Sequence, residues 1–323
     1  MAVELTTRVL KADRAAIAQG ARVLADGGLV AFPTETVYGI GADATNGEAI
    51  ARLYAAKGRP RFNPLIAHVP SAAAARAIAA FNAQASMLAQ AFWPGPLTLV
   101  LPKTESRGVS DLATAGLDSI AVRMPQHAVA HDLLEAFGKP IVAPSANRSG
   151  HVSPTTAQHV LSDLAGRVDL IIDGGATSVG VESTIVSCLG APTLLRPGGV
   201  PRDAIERALG CSLIETAAIA DEAPLAPGML ASHYAPKTPI RLNAFSVKSD
   251  EALLAFGSRA PTGAATTLNL SVRGDLVEAA ANLFSHLRAL DAFGARAIAV
   301  MPIPSDGLGE AINDRLARAA APR

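Results

Sequence analysis

The chain has 323 residues, of which 50% are apolar, so it can bury roughly three quarters of its unfolded surface and form two domains without a disulfide or metal. Its 28 basic and 28 acidic residues balance, so any binding to nucleic acid or a membrane must be local. Two cysteines, Cys188 and Cys211, give no disulfide framework, and without a signal-like start or an apolar run of about 18 residues we expect a cytoplasmic protein that does not enter a membrane.

Strand-like and helical patterns alternate through the first two hundred residues. Apolar residues at helical spacing predict a helix over 11–25, and Asn46 is a typical cap for a helix over 47–56. Ser153-Pro154 has the composition of the cap and first turn of a later helix. The other predicted elements of this part are strands 29–32, 65–69, 97–101, 119–123, 140–143, 170–173, 183–187 and 193–196, and helices from Ser71, before Trp93, over 127–137 and over 201–209. This density of strands and helices indicates an α/β sheet with covered faces.

Residues 212–239 interrupt this alternation with several prolines and no sustained periodicity, which is typical of a linker or crossing loop. The elements predicted beyond it are strand 240–242, helix 250–256, strand 265–270, helix 275–291, strand 296–301 and helix 308–319. This βαβαβα order predicts a small, mainly parallel sheet. We therefore expect a first domain over 1–211, a linker over 212–239 and a second domain over 240–323.

Three polar segments adjoin predicted buried strands, namely Pro33–Gly39, Lys57–His68 and Pro144–Gly150. Each has an ordinary structural interpretation, as a turn whose hydroxyls bond their own backbone, a basic helix end in water, and a strand-end turn. Rigid neighbouring strands could also carry all three into one cleft. The prolines of the second segment stiffen it, and a stiff loop of arginine and lysine suits the phosphates of a nucleotide.

Standard catalytic patterns are weak or missing. Gly39–Ala44 matches a dinucleotide fingerprint only superficially, because it lies well past its strand and lacks the expected acidic residue. His127 and His131 have the spacing of zinc ligands, but no glutamate follows the first histidine, so a solvated helix face is the better interpretation. The sequence contains neither a phosphate-binding loop of the Walker type nor a Gly-x-Ser-x-Gly elbow, which argues against those two kinds of hydrolysis.

Taken together, the polar segments resemble one family, the Sua5/YrdC threonylcarbamoyl-adenylate synthases, which begin the synthesis of threonylcarbamoyladenosine in transfer RNA. Seven stretches in about the first two hundred residues carry this resemblance: Pro33–Gly39, Lys57–His68, Trp93–Pro96, Ser119–Pro125, Pro144–Gly150, Gly180–Val186 and Arg196–Gly198. Ser232–Pro236 and the βαβαβα end are similar to the longer Sua5 form rather than to the single-domain YrdC form. The resemblance implies an α/β fold with a YrdC-like twisted mixed sheet and helices, followed by a smaller α/β domain with a mainly parallel sheet.

The resemblance also implies a nucleotidyltransferase that converts L-threonine, bicarbonate and ATP, with Mg²⁺, into threonylcarbamoyl-AMP and pyrophosphate. The residues implied for threonine are Thr36, His68, Arg123, Ser145 and Ser183. Those implied for ATP or the adenylate are Lys57, Arg59, Asn63, Ser119, Asn147, Ser153, Arg196 and Tyr234, with Lys57 and Arg59 as the catalytic cations. Transfer RNA and the downstream proteins that complete the modification are candidate partners, and no metal ligands are assigned.

The residue chemistry is compatible with this reaction. Attack of a carbamate on the α-phosphate builds negative charge that Lys57, Arg59 and Arg196 could stabilise, and Arg123 suits a forked contact with the threonine carboxylate. Because water would destroy the mixed-anhydride product, we expect the 224–239 loop to cover the cleft, with Tyr234 on the nucleotide, and to gate release. As a loop cation, Lys57 is expected to matter more for turnover than for stability.

Two other functions stay open at this point. A non-catalytic YrdC-like module could bind double-stranded or transfer RNA through arginines such as Arg59 and Arg61. Hydrogenase-maturation proteins with a YrdC-like unit use related chemistry on another acceptor, but acylphosphatase and zinc-finger segments usually accompany it, and the cysteine count leaves no room for them. The second domain lacks a glycine-rich phosphate loop and is expected to be a cover or a partner surface.

Overall fold

The computed structural model describes residues 5–60, 62–104, 108–215 and 233–322. The strands of the larger sheet are β1 (Arg8–Lys11), β2 (Val30–Pro33), β3 (Tyr38–Asp43), β4 (Ile66–His68), β5 (Leu97–Pro102), β6 (Ser119–Arg123), β7 (Ile141–Val142), β8 (Leu170–Asp173), β9 (Thr184–Ser187), β10 (Thr193–Arg196) and β11 (Ile214–Glu215). The helices in the same part of the chain are α1 (Arg14–Ala25), α2 (Gly47–Lys57), α3 (Ala72–Ile78), α4 (Ala83–Phe92), α5 (Asp111–Thr114), α6 (Ala128–Phe137), α7 (Ala157–Leu164) and α8 (Arg202–Leu209).

The larger sheet is mixed, with the strand order β1-β8-β2-β3-β7-β4-β6-β5-β9-β10-β11. Side chains of a strand point alternately to its two faces, and both faces are covered here. On β2, Val30 and Phe32 pack in one cluster with residues of α1 and α6, whereas Ala31 packs in another with residues of α2 and α7. The prediction of an α/β sheet with two covered faces is therefore confirmed.

The smaller sheet has four parallel strands, β12 (Ile240–Arg241), β13 (Glu251–Ala255), β14 (Thr266–Asn269) and β15 (Ala297–Val300), in the order β12-β15-β13-β14. Helices α9 (Leu276–Phe293) and α10 (Leu308–Ala320) belong to this unit. The prediction of a small, mainly parallel sheet is confirmed, but the predicted helix over 250–256 is wrong, because these residues form β13. Their composition favours a helix, and burial of all five residues of β13 between α9 and α10 on one face and a second apolar cluster on the other overrides that preference.

Two further local predictions differ from the structure. Helix α7 does not begin at Ser153-Pro154, because Thr156 is its cap and accepts a hydrogen bond from the backbone N–H of His159. The hydroxyl of Ser153 instead donates to Glu182. The predicted linker begins inside the larger sheet, since β11 pairs in parallel with β10, and residues 216–232 of that linker lie outside the described part of the chain.

The two sheets are joined through α9 and α10. Val37 and Val181 of the first part pack in one apolar cluster with residues of both helices. Gly180 has a φ of +78°, and a Cβ there would lie 2.3 Å from the carbonyl oxygen of Ala280, so the close approach of α9 requires glycine. Among the described residues, no helix is long and apolar enough to cross a bilayer.

Candidate active site

A small cavity lies where β4, β6 and the ends of β7 and β10 meet the segment that leads into the second unit. Its walls come from widely separated parts of the chain: Thr36, Val37, Arg59, Ile66, His68, Arg123, Ala143, Pro144, Ser145, Glu182, Ser183, Arg196, His233 and Tyr234. The structure therefore brings together eight of the residues that the sequence nominated: Thr36, His68, Arg123, Ser145, Ser183, Arg59, Arg196 and Tyr234. We call this space the cavity below.

The other five nominated residues do not line the cavity: Lys57, Asn63, Ser119, Asn147 and Ser153. Four of them bond to its wall or to each other. The ammonium of Lys57 donates to the carbonyls of Ser145 and Asn147, the carbonyl of Asn63 accepts from Arg59, and Ser153 donates to Glu182. Ser119 begins β6, the strand whose last residue, Arg123, is in the wall.

Lys57 is the last residue of α2, which ends because Gly58 takes the left-handed conformation with a φ of +61°. The Lys57 side chain is buried, and its Nζ lies 2.5 Å from the carbonyl oxygen of Ser145 and 2.6 Å from that of Asn147. Burial lowers the pKa of Lys57 well below its ordinary value, and the charge of Arg59 lowers it further. Lys57 is thus a buried anchor of the 145–147 turn, not the cation on a loop that the sequence suggested.

Arg59 and Arg196 place two guanidinium groups in the cavity wall. Arg59 donates to the carbonyl of Pro64 at 3.1 Å, and burial lowers its pKa to about 10. Arg196, at the end of β10, donates from Nη2 to the carbonyl and the hydroxyl of Ser183. A Cβ on Gly198 would lie 2.4 Å from the carbonyl oxygen of Glu182, so the chain after Arg196 can pass this wall only as glycine. Two buried guanidinium groups in the wall of the cavity favour an anionic ligand.

Arg123 and Thr36 lie in another part of the wall, and Glu35, which does not line the cavity, pairs with Arg123. Arg123 donates to Glu35 at 2.6 Å, to the Thr36 hydroxyl at 3.0 Å and to the carbonyl of Gly95 at 3.3 Å. Burial raises the pKa of Glu35, but the charge and hydrogen bonds of Arg123 outweigh it and hold the pKa below its ordinary value. The ion pair between Arg123 and Glu35 fixes the Arg123 guanidinium at the end of β6, and the guanidinium in turn holds the Thr36 hydroxyl. Both residues line the cavity.

His68 lies beside Arg123, its register partner on the parallel strand β6. Burial, followed by the charge of Arg123, lowers the pKa of His68 to about 3, so its ring is neutral. Its Nδ1 lies 3.2 Å from the carbonyl oxygen of Ile66. A neutral ring that donates from Nδ1 has Nε2 as an acceptor, which suits a ligand hydroxyl or amine.

His233 and Tyr234, in the segment that leads into the second unit, cover the cavity. Tyr234 is 1% exposed, has a φ of +63° and stacks on Phe284 of α9 with ring centroids 5.6 Å apart. With these residues in place the cavity has a volume of about 50 Å³, which holds only a few water molecules. Residues 224–232 of the predicted covering loop lie outside the described residues.

Buried polar atoms without a hydrogen-bond partner concentrate around this site. Among the described side chains five such atoms occur, and three of them belong to Asn63, Asn147 and His233. Buried polar groups are normally satisfied by protein, water or a ligand. Their position next to the cavity indicates that a polar ligand completes the site.

Sequence reasoning did not single out three residues that shape the site. Glu35 and Glu182 stood inside segments that were recognised, but neither was assigned, because a lone carboxylate beside an expected phosphate site gives no clear signal. Arg315 carries no motif at all. Its signal would have been a charged residue on the apolar face of α10, with Ile312 and Leu316 as neighbours.

Comparison with known proteins gives consistent matches. Residues 22–198 match the family model described as Telomere recombination, which covers Sua5, YciO and YrdC, and residues 200–321 match the one described as threonylcarbamoyl-AMP synthase, C-terminal domain. The chain is 43% identical to threonylcarbamoyl-AMP synthase of Pyrococcus abyssi over 92% of each chain. It is 41% identical to that of Bacillus subtilis over 95% of this chain and 93% of the relative. The crystal structure of P. abyssi Sua5 with L-threonine superposes with a TM-score of 0.88 and 39% identity over 98% of this chain and 97% of the other.

Proposed function

The chain belongs to the Sua5/YciO/YrdC family, in the form with a threonylcarbamoyl-AMP synthase C-terminal domain, and from this premise we infer that it makes threonylcarbamoyl-AMP. It is an enzyme that uses L-threonine and ATP. We propose that bicarbonate is the third substrate, that pyrophosphate is the second product and that the reaction is a nucleotidyl transfer in the cytoplasm. The observation that carries this proposal is one cavity lined by the buried arginines Arg59, Arg196 and Arg123 together with a neutral histidine and hydroxyls.

The wall of Arg123, Thr36 and His68 suits the amino acid. Arg123 directs three of its five N–H groups to Glu35, Thr36 and Gly95, so its guanidinium is held in place for a carboxylate ligand. The neutral ring of His68 offers an acceptor for the threonine amine or hydroxyl. Ser183 and Ser145 are the two serines of the wall and complete the proposed threonine set.

The nucleotide is proposed to lie along β6 and against the basic wall. Ser119 and Arg123 are four residues apart on one strand, so their side chains share a face and lie about 13 Å apart. A ligand that starts at Arg123 and runs along this face reaches Ser119, although Ser119 lies outside the cavity wall. Arg59 and Arg196 would bind the phosphates, with Asn63, Asn147, Ser153 and Tyr234 around the nucleotide.

In the chemical step, a carbamate oxygen of N-carboxythreonine attacks the α-phosphorus of ATP and pyrophosphate leaves. Negative charge grows on the phosphoryl oxygens, and cations already held in the wall stabilise it without reorganisation. Lys57 acts on this step through the 145–147 turn that it anchors and through its charge. The described residues include no group of three or more His, Cys, Asp or Glu side chains able to hold a metal, so we propose that Mg²⁺ enters bound to the phosphates of ATP.

The cavity, about 50 Å³ in volume, is too small to enclose threonine and a nucleotide together, which supports a movement of the cover during binding. We propose that His233 and Tyr234 open for entry and close over the reacting groups, which keeps water from the mixed anhydride. The product would then pass to the downstream proteins that modify transfer RNA.

The proposal is tested by incubating the purified chain with L-threonine, bicarbonate, ATP and Mg²⁺ and analysing the products by mass spectrometry and a pyrophosphate assay. Threonylcarbamoyl-AMP and pyrophosphate should form together, and removal of bicarbonate should abolish both. A serine control separates this reaction from related chemistry on another acceptor. Salt-sensitive binding of RNA without consumption of ATP would instead favour a non-catalytic RNA-binding module.

A further inference from the structure

Arg315 of α10 is the largest side chain that is fully buried in the described part of the chain, with 0% of its surface exposed. Its neighbours on the buried face of α10 are apolar, among them Ile312 and Leu316. A buried guanidinium is costly unless it is paired and hydrogen-bonded. The position therefore calls for specific partners, and these lie in the wall of the cavity, not in the second unit alone.

Arg315 contacts three segments that meet at the site. Its Nε lies 2.7 Å from Oε2 of Glu182, and its Nη2 donates to the carbonyl of Pro197 at 2.9 Å, next to Arg196. Its guanidinium also lies 5.2 Å from the ring centroid of Tyr234. A single residue of the second unit thus holds the loop before β9, the loop after β10 and the cover.

Glu182 is a carboxylate in the wall of a cavity proposed for a nucleotide. Its Oε1 accepts the hydroxyl of Ser153 at 2.5 Å, while Oε2 receives Arg315. Burial raises the pKa of Glu182, but the charges of Arg315 and then Arg196 outweigh it and keep the carboxylate ionised. An unpaired negative charge here would repel phosphates and would compete with them for Arg196.

We propose that Arg315 is a positioning residue for nucleotide binding: it neutralises Glu182 and prevents this carboxylate from competing with phosphates for Arg196. The inference rests on the proposed function, because it assumes that the cavity binds ATP. The second unit then contributes more than a cover, since it supplies the counter-charge that makes the wall of the first unit suitable for an anion.

The alternative is that Arg315 only joins the two units. Two other ion pairs cross the same interface, Arg202 with Glu310 and Arg288 with Asp163. The Arg202 pair serves as a matched control, because Arg202 and Glu310 are absent from the cavity wall. A purely structural role predicts that the loss of Arg315 affects stability and both substrates alike.

The test compares the full-length wild type with Arg315→Met, Arg202→Met and the double variant Glu182→Gln/Arg315→Met. We expect Arg315→Met to weaken the affinity for Mg·ATP at least about tenfold and to raise KM for ATP more than KM for threonine. The double variant should recover ATP affinity to within about threefold of the wild type, because the charge of Glu182 is gone and glutamine still accepts from Ser153. Asp314, the other carboxylate that Arg315 contacts, keeps its ion pair with Arg318 in every variant. Arg202→Met should bind ATP as the wild type does.

The inference is overturned if the folded double variant binds ATP as weakly as Arg315→Met, or if Arg315→Met binds ATP normally. Should Arg315→Met fail to fold, the double variant decides alone, since near-normal ATP affinity supports charge neutralisation and lost affinity contradicts it. A wild type that binds ATP but makes no threonylcarbamoyl-AMP contradicts the proposed function only, so the two failures are distinguishable.

Discussion

The larger and smaller sheets belong to the same α/β class but use their polar residues differently. Around the larger sheet, Ser145 after β7 and Arg196 at the end of β10 line a shared cavity, and buried atoms of Asn63 and Asn147 lack a partner. In the smaller unit, polar side chains near the strand ends bond to neighbours within the unit, although Nδ1 of His286 on α9 also lacks a partner. Ser271 donates to Glu278, for example, and Arg241 donates to Glu251.

This difference shows that strand ends in an α/β sheet do not form a binding site unless their polar groups are directed to a common ligand. The smaller unit still takes part in the site, through buried side chains of its two helices. Phe284 of α9 supports Tyr234, and Arg315 of α10 pairs with Glu182. The first unit thus supplies most of the cavity wall, and the second unit supplies support for the cover and the charge that pairs with Glu182.

The strongest test of this division compares one lysine from each unit. Lys57→Met should reduce turnover by at least about a hundredfold, since a buried cation is lost from the proposed phosphate side. It should also lower the free energy of unfolding by about 1–3 kcal/mol, because the carbonyls of Ser145 and Asn147 lose their donor. Steady-state kinetics and denaturant unfolding measure the two effects. Exposed Lys248, in the smaller unit, is the control, and Lys248→Met should change neither.

A second test compares histidines of the two units through the pH dependence of stability. The folded protein keeps His68 neutral to about pH 3, whereas an unfolded histidine takes up a proton near pH 6.5, so stability falls as the pH drops from about 6.5 toward about 3. His68 should account for a loss on the order of 2 kcal/mol by pH 5. His68→Gln should flatten the curve, measured by denaturant unfolding at several pH values.

Half-buried His286 of α9, whose pKa is also lowered by burial, should contribute less to this pH dependence. If His286→Gln flattens the curve as strongly as His68→Gln, the assignment of the larger effect to the cavity wall is wrong.

The smallest expected effect is a proton taken up when ATP binds. Burial lowers the pKa of Lys57 in the empty site, and phosphates nearby favour its charged form, so the pKa rises on binding and affinity weakens as the pH increases. Calorimetry in two buffers with different ionisation enthalpies should reveal a net uptake of protons when ATP binds. Lys57→Met should reduce it, whereas Lys248→Met should leave it unchanged. Identical binding enthalpies in both buffers would contradict the linkage.

Much of the fold could be predicted because its signals are local. Asn46 and Ser71 cap α2 and α3 as expected from their side chains, and the apolar runs of β6, β8 and β10 lie within a residue or two of their predicted bounds. The same local signals failed at β13, where a helix-forming composition lies in the centre of a buried sheet.

The segments that meet in the cavity could also be predicted from the sequence, since dense polar groups beside apolar strands are unusual. The hydrogen bonds and ion pairs within the site could not be predicted, because they join residues far apart in the chain. Arg315 and Glu182 are separated by 133 positions, and Lys57 and Asn147 by 90. The sequence by itself determined most of the elements, the family and the residue types available for catalysis. Only the tertiary structure decided which charges neutralise one another, because burial and pairing depend on three-dimensional packing that no local pattern encodes.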